Sequence, residues 1–136
     1  MAVSVWERPS PKNGFGLVMG AIKAHGRLDV SLPHGPDFFQ FGDHESLKAA
    51  LEETGFVDVR TRAVPLTLAL DSESAFMEGV LKGTVRAKAL LLAQEEAALA
   101  TIRTAVSQAV ATLFRSEGGF RVPMPAIVGS GAKPAT

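Results

Sequence analysis

Hydrophobic and polar positions follow two different periods along this chain, and the switches between them mark its elements. Ala2-Val3-Ser4-Val5-Trp6 is short, β-branched and aromatic, which predicts a strand. Pro9 and Pro11 enforce a loop. Asn13 can cap a helix from about Phe15 to Ala24, with Leu17, Val18, Ala21 and Ile22 on one face. Gly26 stands where that helix should end. Arg27 to Gly42 holds Pro33, Gly35 and Pro36 and reads as a loop, closing on Phe38, Phe39 and Phe41. Asp43 then caps a second helix through about Thr54, with Leu47, Ala50 and Leu51 as its buried stripe.

Phe56 to Leu70 gives the clearest strand signal. Val57, Val59, Thr61 and Ala63 alternate with Asp58, Arg60 and Arg62, a period of two with one wet face. Pro65 interrupts the ladder and the phase shifts to Leu66, Leu68 and Leu70, which predicts a bulge, a bend or an edge position. A helical block follows from Ser72, with Phe76, Met77, Val80 and Leu81 in one stripe. After Gly83, Thr84 caps a short helix. A third helix runs from about Glu95 to Arg115, where Leu99, Ile102, Val106, Ala109, Val110 and Leu113 recur every three or four positions. Phe120 to Val128 is a last strand, and Pro123 and Pro125 confine its paired part to about Ala126 to Gly129. The fold class is α/β, with a three-stranded sheet in one domain over residues 1–136 and a helical insertion at about 72–116.

Composition narrows the function classes. Of the 136 residues, 46% are hydrophobic and 21% charged, which excludes a disordered or membrane-spanning chain. Fourteen basic and fourteen acidic residues cancel, and no basic run gives nucleic acid or an anionic membrane a reason to bind. There is no cysteine, so thiolate and disulfide chemistry are out. Glu7 and Arg8 break the N-terminal segment before a signal-peptide core could form, and a cytoplasmic location is the expectation.

Candidate chemistry is sparse. Trp6 ends the first strand and Arg8 follows it; ligands of open α/β sheets bind beyond the carboxyl ends of strands, so both could face a pocket, or Trp6 is a core or interface aromatic. Phe38, Phe39 and Phe41 can wall an apolar site or plug the core below it. Arg86 and Lys88 lie on the short helix, where a cation could hold an acidic substrate or simply be solvated. His25, His34 and His44 have no metal-ligand spacing, and no Gly-x-Ser-x-Gly elbow exists. The run Gly14-x-Gly16-x-x-x-Gly20 does not follow a strand directly and lacks a well-placed acid, so its glycines read as helix-packing positions.

Several of these segments together carry a resemblance. They are Val3-Ser4-Val5-Trp6, the loop Pro33-x-Gly35-Pro36-x-Phe38-Phe39-x-Phe41, the helix end Glu53-Thr54-Gly55-Phe56, Gly83-Thr84-Val85-Arg86 and the terminal Met124-Pro125-Ala126. Nearly the whole chain resembles the C-terminal half of class I S-adenosylmethionine-dependent methyltransferases of the small-molecule, ubiquinone-biosynthesis-like group. The resemblance implies a partial Rossmann-like fold with a mixed sheet. Residues 2–6 would match the fifth strand, 57–70 the sixth, and 120–132 a seventh strand inserted antiparallel between them. The helical block would match a lid over the substrate pocket. The first four strands, which hold the methyl donor in that family, would lie outside these residues.

Three functions stay open at this point. The chain is a binding or interaction module that is not catalytic alone, a methyltransferase component completed by a separate N-terminal half, or a structural remnant without ligand. The candidate substrate-binding residues are Trp6, Phe39, Phe41 and Arg86, facing an apolar small molecule. No cofactor is expected on this chain alone, and S-adenosylmethionine only with a completing chain. The partner is a second copy or that missing half, joined through strand 2–6.

Overall fold

The computed structural model describes residues 1–135 and forms its helices where the caps anticipate them. Helix α1 (Gly14–His25) starts at Asn13, whose side chain accepts from the Gly16 amide. Helix α2 (His44–Glu53) starts at Asp43, whose carboxylate accepts from the Ser46 amide. Both caps satisfy amides that the first turn leaves without an intrahelical partner. The helical block becomes α3 (Ala75–Gly83), α4 (Arg86–Leu92) and α5 (Glu96–Leu113). Thr84 does act at the start of α4, accepting from the Lys88 amide at 3.2 Å.

Helix α1 and the helical block make the larger core. Val18 and Ile22 of α1 pack with Phe76, Met77 and Val80 of α3, Leu91 of α4, and Ile102, Val106 and Val110 of α5. The three α5 residues are fully buried and recur at spacings of four, so they present one face to α1. A second, smaller cluster joins Leu47 and Leu51 of α2 to Ile127 and the partly buried Val3, Val5, Phe56 and Val59.

The strands depart from expectation in two respects. The last strand pairs well beyond about Ala126–Gly129, with Gly119–Pro123 paired on both sides because Pro123 sits at the end of that stretch. The sheet is also not single. A single mixed sheet was expected, and the described residues form two three-stranded sheets in which every pairing is antiparallel. The segment 56–70 divides into β2 (Val57–Val64) and β3 (Thr67–Leu70), and the last strand divides into β5 (Gly119–Pro123) and β6 (Ala126–Ala132). Pro65 on one side, with Pro123 and Pro125 on the other, removes ladder donors at the junction. Met124 donates to the Leu66 carbonyl there at 2.8 Å. The upper parts pair with the two-residue β4 (Arg115–Ser116) in the order β3-β5-β4. The lower parts pair with β1 (Ala2–Trp6) in the order β1-β6-β2. Strand β6 is antiparallel to both neighbours, so β1 and β2 run parallel to each other without touching.

The register of this second sheet fixes where each backbone group points. Met1 and Gly131 exchange both backbone hydrogen bonds. Opposed residues alternate between bonded and non-bonded pairs, so Val3/Gly129 and Val5/Ile127 are also bonded pairs. Ala2 and Ser4 therefore point their N–H and C=O groups away from the sheet. On the other side, Arg60/Ser130, Arg62/Val128 and Val64/Ala126 are the bonded pairs, and the backbone of Thr61 and Ala63 points outward. Helix α2 covers the face bearing Val3, Val5 and Ile127. The opposite face carries Ala2, Ser4, Trp6, Val128, Ser130, Arg60 and Arg62.

Candidate functional site

Rings and charges from three segments meet at the carboxyl end of β1. Trp6 meets Phe15 edge-on, with centroids 5.8 Å apart. Phe15 meets Phe39 at 5.1 Å, and Phe39 meets Phe38 at 4.9 Å. Each pair is T-shaped, the arrangement that sets the positive edge of one ring against the negative face of the next. Phe39 is the half-buried centre of this row. Trp6 is 37% exposed, Phe41 39% and Phe38 63%, so the row opens an apolar surface to solvent.

Arg8 fastens the aromatic turn to the strand. Its Nε donates to Asp43 Oδ2 at 2.9 Å and its second guanidinium nitrogen donates to the Gln40 carbonyl at 3.1 Å. Asp37 stands 3.5 Å from the same guanidinium. The Arg8 amide donates to the Gly42 carbonyl at 2.9 Å. A Cβ on Gly42 would come within 2.9 Å of both the Trp6 carbonyl and the Arg8 nitrogen, so only glycine lets the turn lie this close. Asp43 serves both the clamp and the helix cap. The Ser46 amide, the Arg8 guanidinium and the Ser46 hydroxyl hold its carboxyl well below the usual carboxylate range.

The base of the site is built by Asn13. It is 2% exposed, donates to the Arg8 carbonyl at 2.9 Å, and accepts from the Ser10 and Gly16 amides. Two of the three glycines of the run 14–20 serve close packing, as the sequence predicts, and Gly20 does not. A Cβ on Gly14 would strike Phe76 and Met124, and one on Gly16 would strike the Ser10 carbonyl, while Gly20 has open space.

The structure thus brings Trp6 and Phe39 together through Phe15, and holds Phe41 on the same turn. Arg86 is placed otherwise: it donates to the Pro33 carbonyl at 3.3 Å and ties α4 to the long loop. Phe15 was legible only as a helix residue. The acids Asp37 and Asp43 flank the phenylalanine triplet in sequence, and that flanking was the available sign that Arg8 would clamp it. Among the described residues no three His, Cys, Asp or Glu side chains lie together as metal ligands, and no helix is long and apolar enough to cross a membrane.

No protein-family model matches the chain, and comparison with curated proteins finds no match.

Proposed function

We propose that this chain is the substrate-side part of a Rossmann-like methyltransferase sheet and acts as a binding module for an apolar small molecule. Methyl transfer is not its own activity in this reading. The observation that carries the proposal is the order β1-β6-β2, with β6 antiparallel between two parallel strands. That is the arrangement implied by the resemblance for the last three strands of these enzymes. Trp6, Phe39 and Phe41 supply the apolar wall, and Arg8 holds the turn that carries two of them. Arg86 fixes the loop leading into that turn. Burying one face of an aromatic ligand against such rings is worth roughly 1–3 kcal/mol.

A second reading is favoured by β1. The outward backbone groups of Ala2 and Ser4 can take another strand, from a second copy or from a separate donor-binding half. With that half in place, S-adenosylmethionine would bind across the junction, and the chain would be one component of an active enzyme.

Trp6 is the only tryptophan, so intrinsic fluorescence reports on the site directly. Titration with a naphthoquinone should quench it saturably, and Phe39→Ala should weaken that binding about tenfold, the loss of one ring contact. Calorimetry with S-adenosylmethionine should give no heat for the chain by itself. Tight binding of the methyl donor by the isolated chain, or fluorescence indifferent to Phe39→Ala, would defeat the proposal.

A further inference from the structure

A surface cavity lies away from the aromatic site, along β2. It measures about 770 Å³ and is lined by Arg60, Thr61, Arg62, Ala63, Val64 and Pro65, with Val128 and Ser130. Six consecutive strand residues line it. Even-numbered positions belong to the face that α2 leaves open, and odd-numbered ones to the opposite face. The cavity runs along β2, whose outer margin is unpaired in this sheet, and there the N–H and C=O groups of Thr61 and Ala63 point away from β6.

Two cations flank that margin. Arg60 and Arg62 are two residues apart on one face, as are Ser130 and Val128 opposite them. Neither arginine has an acidic side chain within ion-pair distance among the described residues. An incoming strand would match this margin if it offered its backbone to Thr61 and Ala63 and placed acidic side chains two residues apart on the arginine side. Pro65, with no N–H, and the irregular pairing between Val57 and Arg60 bound the usable stretch.

We infer that the outer margin of β2 receives an extended acidic peptide as a fourth strand, with alternate carboxylates paired to Arg60 and Arg62. Backbone hydrogen bonds supply affinity, and the arginines select the charge pattern. This site is independent of the methyltransferase reading.

Fluorescence anisotropy on the full chain tests it, using a short labelled peptide that alternates Glu and Val and a counterpart that alternates Lys and Val. The Glu peptide should bind and the Lys peptide should not. The charge reversal R60E/R62E should exchange that preference, weakening the Glu peptide by about tenfold, since two exposed ion pairs are lost. Ala63→Pro removes an outward amide while leaving the β2–β6 ladder intact, and should weaken the Glu peptide as well. Circular dichroism confirms that both variants remain folded. Failure of the Glu peptide to bind, or binding indifferent to R60E/R62E, overturns the proposal. So does equal binding of an oligonucleotide that survives Ala63→Pro, which would mark a general anion surface instead.

Discussion

The two margins of the β1-β6-β2 sheet are built from different materials. From Ala2 to Trp6 the β1 margin carries no charge and no proline. The β2 margin has Asp58 at a φ of 53°, then Arg60 and Arg62, then Pro65. A kink, charges and a proline are the devices by which proteins keep an exposed strand from pairing indiscriminately. One margin is thus defended and the other is not. An undefended edge persists where something regularly covers it. A defended edge can stay in water and admit only a partner with the matching charge.

The largest expected effect separates inward from outward backbone groups on β1. Val5→Pro removes an amide bonded to Ile127 and should cost about 3 kcal/mol, lowering the unfolding temperature by roughly 10 °C. Ser4→Pro removes an amide that points outward and should cost under about 1 kcal/mol. Thermal unfolding followed by circular dichroism distinguishes them. A larger loss for Ser4→Pro than for Val5→Pro would mean that the ladder is bonded through the other set of residues, and equal losses would deny the distinction between the two sets.

A middle-sized effect concerns the defended side. Replacing both Arg60 and Arg62 with leucine should leave the melting temperature within a few degrees and yet promote aggregation, because the charges repel unwanted strands rather than hold the fold. Light scattering on heating and cooling reads this out. Unchanged solubility would show that the kink and Pro65 suffice alone.

The smallest effect lies where the aromatic turn closes the β1 margin. Asp43 titrates below its ordinary value of 3.8 in the folded chain, so its contribution to stability is complete above that value. The contribution fades as pH falls below about 4 and the carboxylate gains a proton. Asp43→Asn keeps a capping oxygen but loses the charge facing Arg8, so its acid unfolding should be shallower than that of the parent. Identical acid profiles would remove the clamp from the account of this turn.

Local chemistry was readable from the residues themselves, the placing of the last strand between residues 2–6 and the strand from Val57 came only through the resemblance, and the division into two sheets came from neither. Asn13 and Asp43 announce their helices because a cap acts within three residues. The wet face of Arg60 and Arg62 followed from simple alternation. Pro65 announced a break, but the division into two sheets depends on Pro123 and Pro125 arriving opposite it from far along the chain. The Arg8–Asp43 bond spans thirty-five positions and leaves no periodic trace. Trp6, Phe39 and Phe41 could be nominated as apolar wall, while Phe15, which links them, was hidden inside a helical pattern that explained it equally well.

Leu66 and Met124 have a mechanical consequence. The same two stretches of polypeptide cross from one sheet into the other, and between the flanking prolines they are joined by the Met124 amide bonded to the Leu66 carbonyl. Neither stretch can slide along the other at that point without breaking the bond, so the junction pins the two sheets to one another.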